Sequence, residues 1–344
     1  MITGGTGSLG KLLVRRLLTG EMGEPERITV FSRDEAKQHQ MRLDYMNRVA
    51  TDEIVFSNFQ RRLVFRIGDI RDLHSVSAAL READIVFSAA ALKQVPTCEY
   101  FPFEAVQTNI AGPENIVRAI EQHRIPVELV VAVSTDKACK PVNVMGMSKA
   151  IQERVFIQAN MRAPGTRFVC VRYGNVLASR GSVIPLFHDQ IRHGGPLTIT
   201  TEDMTRFLLS LDESVDLIFT AARGALPGET YIPIVPSSRV IDLATALVGD
   251  RDIEMKVVGI RPGEKVHEVL VSEEEATRTV QRGNYYVIQP MLPELDAKTE
   301  EAPALSKEYS SGDDVQSPEA TRQLLRSRSL MVEDVENEVG EILR

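Results

Sequence analysis

The sequence has no apolar stretch that approaches the roughly 20 residues of a transmembrane helix, and no signal peptide opens it. We therefore expect a soluble protein with no membrane partner. Basic tracts are absent too, and the formal net charge is −8, which argues against nucleic acid as a partner. The few cysteines, Cys98, Cys139 and Cys170, are widely spaced and odd in number, so they match neither a disulfide framework nor a zinc site. We predict a cytoplasmic location by default and no metal site.

What is present is an ordinary globular composition: the 344 residues are 43% hydrophobic and 26% charged, enough for one large or two ordinary domains. Strand and helix patterns alternate from residue 1 to about residue 176. This alternation predicts an α/β fold with a Rossmann-type doubly wound parallel sheet over residues 1–176. We assign residues 177–290 to a smaller C-terminal substrate-binding subdomain, with some chain crossing back to the sheet, and residues 291–344 to an arm with helices.

Glycines at positions 4, 7 and 10 fit a dinucleotide-binding loop, because they allow a tight turn, close approach to a pyrophosphate and close helix packing. A helical pattern follows, and its N-terminus would hold the phosphates. A glycine-rich turn without a ligand is the alternative, but the strand predicted at 28–31 favours the cofactor. The first strand has two or three residues where about five are usual, so we expect the native start to lie upstream. The predicted contacts of this loop are Gly4, Thr6, Gly7, Ser8, Leu9 and Gly10.

The tip of the second strand indicates which dinucleotide binds. Arg33 follows Ser32, and Lys37 lies one helical turn further on. An arginine suits the extra phosphate of NADP, whereas an acid there would bind the ribose of NAD. We predict NADP, with the alternative that Arg33 is a solvated surface charge beside Asp34.

Two further strand ends extend the cofactor site. Asp69 follows the strand predicted at 63–67 and is placed to reach the adenine, and small residues after the strand at 85–87 let the backbone approach the cofactor. Cys98 is predicted on a loop that crosses above the nicotinamide, unless it is merely a buried apolar residue. The predicted contacts in this region are Asp69, Ile70, Ala89, Ala90, Ala91 and Lys93.

The segment 134–149 carries the candidate chemistry. The apolar run 127–133 predicts a buried parallel strand, so Asp136 and Lys137 follow its carboxyl end, where open α/β sheets bind ligands. A helix is predicted at 145–158, with Met145 and Lys149 at i and i+4 on one face. An acid and two amines can therefore meet over one substrate. The alternative is a strand-end turn in which Asp136 is a cap and Lys137 is solvated.

Polar loops dominate the second half of the chain, in which we expect no large core. Arginines on three separate loops suit an anionic, hydroxyl-rich ligand such as a nucleoside-diphosphate sugar, although each alone is more simply a surface charge. The predicted substrate contacts are Lys93, Cys98, Asn175, Arg180, Ser182, Pro185, Thr198, Arg206, Arg261 and Glu264. Residues 294–318 have little periodicity and predict an extended or disordered arm. Helices predicted at 321–330 and 332–343 would dock on a neighbouring subunit.

Long stretches support a more specific interpretation: 3–10, 31–35, 68–72, 89–102 (AAALKQVPTCEYFP), 108–112, 134–149, 172–185 (RYGNVLASRGSVIP), 204–207 and 259–268 (GIRPGEKVHE). Together they resemble the extended short-chain dehydrogenase/reductase superfamily and, more closely, the bacterial inverting UDP-N-acetylglucosamine 4,6-dehydratases. The superfamily usually has tyrosine four residues before the site lysine, where this chain has Met145. This looks like the capsular and O-antigen branch that feeds N-acetyl-L-fucosamine synthesis.

The resemblance implies an NADP-dependent 4,6-dehydration of UDP-N-acetylglucosamine with inversion at carbon 5, in a homo-oligomer such as a hexamer. Some relatives also epimerise carbon 3. Asp136 is assigned as the acid for the leaving 6-hydroxyl and Lys137 as the base at carbon 5, provided that burial or Lys149 lowers the pKa of Lys137. Lys149 would also bind the nicotinamide ribose. Met145 cannot transfer the 4-hydroxyl proton, because a thioether is at best a weak acceptor.

Two other functions remain open: a UDP-sugar 4-epimerase and a non-catalytic NADP-binding protein. Simple epimerisation needs no acid–base pair for elimination at carbon 6, so the pair Asp136 and Lys137 argues against the first. Retention of both residues together with Lys149 would be unexpected in an inactive site, which argues against the second.

Overall fold

Strands and helices alternate along the computed structural model of the protein, which describes residues 1–47, 53–177, 182–295 and 301–335. The strands are β1 (Ile2–Thr3), β2 (Ile28–Ser32), β3 (Leu63–Ile67), β4 (Ile85–Ser88), β5 (Leu129–Val133), β6 (Arg167–Val171), β7 (Asn175–Val176), β8 (Leu197–Ile199), β9 (Thr205–Leu209), β10 (Thr230–Pro233), β11 (Ser237–Arg239), β12 (Met255–Val257), β13 (Val269–Val271), β14 (Thr279–Arg282), β15 (Tyr285–Ile288) and β16 (Tyr309–Ser310).

The α-helices are α1 (Ser8–Leu18), α2 (Glu35–Met46), α3 (Glu53–Arg62), α4 (Leu73–Leu80), α5 (Val95–Tyr100), α6 (Pro102–Val106), α7 (Gly112–His123), α8 (Val144–Arg162), α9 (Val183–Arg192), α10 (Leu211–Gly224), α11 (Val240–Val248), α12 (Glu273–Ala276), α13 (Pro318–Ser327) and α14 (Val332–Val335). A π-helical turn (Gln107–Ala111) joins α6 to α7, and 3₁₀ turns occupy Asp136–Ala138 and Pro293–Leu295. Among the described residues, no helix is both long and apolar enough to cross a bilayer.

The main sheet, counted over the described ranges, has nine strands in the order β14-β15-β10-β6-β5-β4-β1-β2-β3. The neighbours from β3 to β10 are parallel, whereas β15 and β14 are added antiparallel at one edge. The strand order reverses between β1 and β4, and the carboxyl ends of these strands form the crevice in which open α/β sheets bind ligands. The predicted α/β fold with a large, doubly wound parallel sheet is confirmed.

The sheet is buried on both faces, which explains the unbroken apolar sequence of its central strand. All five residues of β5 are buried, as expected for a strand covered by helices on each side. One face packs against Leu13 and Leu17 of α1 and Phe219 of α10, and the other against Ile116 of α7 and Phe156 of α8. These two layers hold the ends of β4 and β5 in place beneath the site.

The second half of the chain contributes β10, β14 and β15 to the main sheet and has a core of its own. Phe187 of α9, Leu243 and Leu247 of α11 and Leu325 of α13 are fully buried in one cluster. The prediction that this half lacks a large core was therefore wrong. Short amphipathic helices on separate stretches of sequence build this core, and each alone carries a weak signal. The boundaries at residues 176 and 290 stay predictions.

The described part of the predicted arm is ordered and packs on its own chain. β16 pairs antiparallel with β13, and the Tyr309 ring lies 4.9 Å from that of Phe207. We call residues 309–312 the strap. Its order depends on Tyr309 and the buried Ser311, single anchors that a search for periodicity cannot detect. Residues 296–300 of the arm and the helix predicted at 332–343, beyond Val335, lie outside the described residues.

Candidate functional site

The glycine loop lies at the crevice between β1 and β4. Gly4 has φ +67°, and a Cβ added to it would lie 2.9 Å from Cα of Ala90, so only glycine fits. Thr3 Oγ1 accepts hydrogen bonds from the N–H groups of Ala89 and Ala90, each at 3.1 Å, and thereby fixes the chain after β4 against the loop. The predicted contacts on both sides of the crevice are thus brought together.

The loop leads directly into α1, whose first turn the structure describes in full. Gly7 is the N-cap residue and provides no side-chain cap, and no acidic residue lies in that turn. The N–H groups of Ser8, Leu9 and Gly10 at this N-terminus suit a phosphate anion. A Cβ on Gly10 would lie 2.5 Å from Cα of Gly5, so glycine at position 10 permits close packing inside the loop. These residues fit the pyrophosphate of a dinucleotide.

The end of β2 joins the glycine loop through Ser32, whose Oγ lies 3.0 Å from Thr6 Oγ1. Asp34 is engaged elsewhere: it caps α2 by accepting from the Lys37 N–H, and its Oδ2 lies 2.7 Å from Lys37 Nζ. Arg33 is exposed and lies 3.9 Å from Asp69 Oδ2. The acid adjacent to Arg33 is therefore occupied as a helix cap, which leaves Arg33 as the cation at the strand tip.

Asp69 is held by an arginine that the sequence analysis missed. Arg71 donates to both of its carboxylate oxygens, with Nη2 at 2.7 Å from Oδ2. Burial alone would raise the pKa of Asp69, but the donors of Arg71 outweigh it and lower the pKa. Ile70, predicted to contact the cofactor, is buried against Gly112. The i, i+2 spacing of Asp69 and Arg71 after a strand was the available signal.

The candidate acid and base follow β5 as predicted. Thr135 caps the short 3₁₀ turn by accepting from the Lys137 N–H, whereas Asp136 is fully buried. Asp136 Oδ1 accepts from Thr135 Oγ1 at 2.8 Å and from Lys137 Nζ at 3.0 Å. Oδ2 of Asp136 is buried without a hydrogen-bond partner among the described residues. The alternative of a surface turn with Asp136 as the cap and a solvated Lys137 was wrong.

Lys137 has two acidic neighbours and one amide oxygen. Its Nζ lies 3.2 Å from Glu268 Oε1 and 3.5 Å from Asn175 Oδ1, in addition to the contact with Asp136. Burial alone would lower the pKa of Lys137, but the charges of Asp136 and Glu268 outweigh it and raise the pKa. The condition set above for Lys137 to act as a base, a lowered pKa, is therefore not met in this structure. Asp136 contributes most to the raised pKa of Lys137, and Glu268 adds to it. The sequence analysis quoted Glu268 within a stretch but did not single it out.

The second lysine has the opposite environment. Lys149 Nζ is buried and donates to Val133 O at 2.5 Å and to Gln152 Oε1 at 2.7 Å. Burial lowers its pKa to about 8, although the nearby Glu153 partly offsets this effect. Lys149 and Met145 lie on α8 at the predicted i and i+4 positions. In the structure the Lys149 amine faces the end of β5.

Met145 and Cys98 belong to one small apolar cluster. Both side chains are buried together with Ala105. Cys98 lies in α5, not on a loop as predicted, and burial raises the pKa of its thiol. The alternative that Cys98 is a core residue therefore describes it better than contact with substrate. Lys93, between β4 and α5, is exposed.

The N-terminus of α8 is pressed against the turn that carries Lys137. A Cβ on Gly146 would lie 2.1 Å from the Lys137 carbonyl oxygen, which explains the glycine at this position. Asn143 caps the helix by accepting from the Gly146 N–H and donates through Nδ2 to Gly263 O at 2.7 Å. This bond brings the loop with Arg261 and Glu264, whose side chains lie 4.0 Å apart, to the same end of α8.

Arg206 lies beside Glu268 rather than on an open loop. It is buried in β9, donates to Thr205 O at 2.7 Å and Val266 O at 3.1 Å, and its Nε lies 3.9 Å from Glu268 Oε1. Asp136, Lys137, Arg206 and Glu268 form what we call the charged cluster. The structure thus brings together Asn175 and Arg206 from the predicted substrate contacts with the candidate acid and base.

The remaining predicted substrate contacts lie around α9. Ser182 is the N-cap residue of α9, its Oγ is buried without a partner among the described residues, and Pro185 is in the first turn. Thr198 of β8 is joined to Gln190 through its hydroxyl at 2.9 Å and its N–H at 3.1 Å. Arg180 lies outside the described residues.

Comparison with known proteins identifies the family. A family model described as "Polysaccharide biosynthesis protein" matches residues 1–290. The chain belongs to this family. It is 42% identical to a UDP-glucose 4-epimerase of Rickettsia conorii over 348 residues, 98% of each chain, and 45% identical to one of Rickettsia prowazekii over 294 residues, 84% of this chain and 82% of the relative.

Solved structures agree with the observed fold. The X-ray structure of Pen from Bacillus thuringiensis has a TM-score of 0.84 and 32% identity, covering 96% of this chain and 97% of that one. The dTDP-glucose 4,6-dehydratase DesIV from Streptomyces venezuelae, solved with NAD bound, has a TM-score of 0.63 and 23% identity, covering 77% and 85%. The second comparison supports the fold alone.

Proposed function

We propose that the protein is a nucleotide-sugar-modifying enzyme that catalyses the NADP-dependent 4,6-dehydration of UDP-N-acetylglucosamine with inversion at carbon 5. The product would be a UDP-4-keto-6-deoxy-L-sugar for surface polysaccharide synthesis of the N-acetyl-L-fucosamine type. One observation carries the proposal: Asp136 and Lys137 meet at 3.0 Å where the central strand β5 ends. Elimination at carbon 6 needs such an acid and base side by side. Whether carbon 3 is also epimerised is left to the experiment below.

Asp136 and Lys137 become the acid and the base when one proton moves between them. In the resting cluster Lys137 is an ammonium beside the Asp136 carboxylate, consistent with the raised pKa of Lys137. Transfer of that proton to Oδ1 turns Asp136 into an acid for the departing 6-hydroxyl and Lys137 into a base for the proton on carbon 5. Such positioned acid–base steps contribute roughly 10²–10⁴-fold each.

The glycine loop and the N-terminus of α1 fit the pyrophosphate of a dinucleotide, and Ser32, Arg33 and Lys37 at the end of β2 would select NADP. When bound, the cofactor would supply hydride transfer from carbon 4 and back to carbon 6. The 4-hydroxyl proton would pass through neutral Lys137 to solvent, because the Met145 thioether cannot accept it. Lys149, whose pKa is lowered to about 8 by burial, would turn from Val133 O toward the ribose. Met145 would only fill space beside it.

A UDP-sugar 4-epimerase is the second candidate, because the Rickettsia relatives carry that name over nearly their whole length. Epimerisation would use the same cofactor but leave Asp136 without a hydroxyl to expel. Asp136 Oδ2 is buried and has no hydrogen-bond partner in the part of the chain that the structure describes, which favours a substrate group as the missing partner. A non-catalytic NADP-binding protein is the third candidate.

Proton NMR of the sugar in deuterated water tests the proposal. The purified protein is incubated in parallel with UDP-N-acetylglucosamine and UDP-glucose. We expect loss of water from UDP-N-acetylglucosamine, deuterium at carbon 5 and an L-configured 4-keto sugar, and deuterium at carbon 3 would add the second epimerisation. A 4-epimer without solvent deuterium would establish the epimerase instead, and cofactor binding without turnover of either sugar would favour the binding protein.

A reducing cytoplasm is the location that we propose, since Cys98, Cys139 and Cys170 are free thiols in buried positions. We also propose a homo-oligomer, hexameric as the resemblance implies. Exposed apolar side chains on α5, α6 and α8 support association.

A further inference from the structure

Lys137 is held by a carboxylate from a distant part of the sequence. Glu268 Oε1 lies 3.2 Å from Lys137 Nζ, on the side chain of the residue that precedes β13. Glu268 is only 2% exposed, and its Oε2 is buried without a hydrogen-bond partner in the described part of the chain. Burial of a carboxylate costs free energy unless it is paired with a cation. The pairing with Lys137 therefore explains why an acid occupies this buried position.

The strap fixes the backbone of Glu268 at both of its polar groups. The Ser311 N–H donates to Glu268 O at 2.8 Å, and the Glu268 N–H donates to Ser311 Oγ at 2.9 Å. Ser311 Oγ in turn lies 2.7 Å from Thr205 Oγ1 of β9. The carboxylate is therefore placed by the backbone and the strap, independently of its ion pair with Lys137.

Three charged groups face Lys137, each from a different element. Asp136 belongs to the same 3₁₀ turn, Glu268 precedes β13, and Arg206 comes from β9. Arg206 Nε lies 3.9 Å from Glu268 Oε1, within ion-pair range but beyond hydrogen-bond reach. Two negative charges and one further positive charge thus surround the amine.

We propose that Glu268 is a positioning residue that holds the Lys137 amine beside Asp136 and retains one proton in the charged cluster. This inference rests on the proposed function, because it names the group that prepares the candidate acid–base pair. The retained proton is the one that Asp136 and Lys137 exchange. Without the Glu268 charge, the cluster would lose that proton at lower pH.

Labelling of lysines by acetic anhydride tests this role of Glu268 without any turnover. Only the neutral amine reacts, so the extent of labelling reports the protonation of Lys137. The full-length protein is labelled over a pH series, and modification of Lys137 is measured by peptide mass spectrometry with exposed Lys256 as an internal reference. We expect half-labelling of wild-type Lys137 at higher pH than Lys256. In Glu268→Gln the pH at which Lys137 is half-labelled should fall by about one to three units, which is the effect of losing one nearby opposite charge. Glu273→Gln, which removes an exposed charge from the same segment, should leave Lys137 unchanged.

The pH profile of turnover gives a second readout. The alkaline limb of kcat for UDP-N-acetylglucosamine should move to lower pH by a similar amount in Glu268→Gln, and Glu268→Asp, which keeps the charge, should restore part of the shift. A merely structural role would lower activity or stability without moving this limb.

Two results would overturn the inference. One is unchanged half-labelling of Lys137 in Glu268→Gln. The other needs no variant: labelling of wild-type Lys137 at or below the pH at which Lys256 reacts. If the protein turns over no UDP-sugar, the proposed function is wrong. The labelling experiment still decides whether Glu268 raises the pH at which Lys137 loses its proton.

Discussion

Lys137 and Lys149 are amines twelve positions apart whose surroundings shift their pKa values in opposite directions. Lys137 has carboxylates at 3.0 and 3.2 Å, so its pKa is raised. Lys149 is bound by a carbonyl and an amide oxygen, and burial lowers its pKa to about 8. One lysine therefore stores a proton, and the other is poised to lose one near neutral pH.

Replacing Lys137 tests its role as the base. We expect Lys137→Ala to lose at least about 10²-fold in turnover, since one acid–base group contributes roughly that much or more, with cofactor binding unchanged by fluorescence titration. Lys137→Arg should also be inactive, because arginine keeps the charge but does not release its proton. Lys140→Ala, at an exposed lysine two residues beyond this 3₁₀ turn, is the matched control. Turnover retained in Lys137→Arg would contradict the assignment.

For single residues, the sequence predicted which side chains lie at the site better than which residues they contact. Asp136 and Lys137 could be placed because strand ends of a parallel sheet share one edge. Glu268 could not be paired with Lys137, since they are separated by more than a hundred residues and their contact depends on the tertiary fold. For the same reason Cys98 was placed on a loop: its burial depends on Met145 and Ala105.

The glycine loop is the element on which the proposed cofactor binding depends. Gly4 needs a positive φ, and any side chain there would contact Ala90. The loop, β1 and the chain after β4 therefore form one rigid unit, joined by the bonds from Ala89 and Ala90 to Thr3.

Gly4→Ala measures this constraint against a matched control. Gly23 also has a positive φ, +87°, but a Cβ there would meet nothing within 4 Å. Both variants incur about 1–2 kcal/mol for the left-handed backbone, and Gly4→Ala should lose roughly 1–3 kcal/mol more through steric overlap. Urea unfolding gives the stabilities, and dinucleotide titration should show weakened binding for Gly4→Ala alone. Equal losses in both variants would refute the close approach.

Among the elements, those with long periodic signals were predicted best. Helix α8 and the strands β2 to β5 lie within a few residues of their predicted bounds, because apolar residues repeat with the period of each element. The strap and α5 were missed, since one is ordered by single side chains and the other is too short to have a pattern.

At the scale of the whole molecule, a buried ion cluster joins the two halves. Arg172, after β6, donates to Glu153 of α8 at 2.7 Å and to Glu275 of α12 at 2.8 Å. Burial alone would raise the pKa of Glu275, but Arg172 outweighs it and lowers the pKa to about 2. The folded state therefore holds this carboxylate ionised well below its ordinary range.

Low pH should reduce the free energy of unfolding, because the Glu275 carboxylate becomes protonated. Because the folded pKa lies below the unfolded value near 4.5, the stabilisation is complete above about pH 4.5 and is lost as the pH falls toward 2. The loss is on the order of 3 kcal/mol at 1.36 kcal/mol per pKa unit. Urea unfolding over this range should show a shallower pH dependence in Glu275→Gln than in the wild type, whereas exposed Glu273→Gln should change little. Equal slopes for Glu275→Gln and wild type would contradict the prediction.

The exposed apolar surface predicts association of whole chains. Tyr100, Phe101 and Phe103 are 82%, 60% and 68% exposed, and α5 and α6 pack against α8, where Met147 and Ile151 are also exposed. Contiguous apolar surface of this kind usually marks an interface. Sedimentation should show an oligomer for wild type and weaker association for Phe103→Ser, with Met46→Ser, exposed on α2, as the control. A monomeric wild type would rule out the proposed oligomer.

The strap gives the chain an order of completion during synthesis. The amino-terminal part is made first, so β15, which ends at Ile288, is available before Ser311 reaches Glu268. A growing chain can thus assemble its sheet and the crevice beside the glycine loop before the strap holds Glu268 in place beside Lys137. The strap is translated near the end of the chain, so the position of the Glu268 carboxylate beside Lys137 is fixed last.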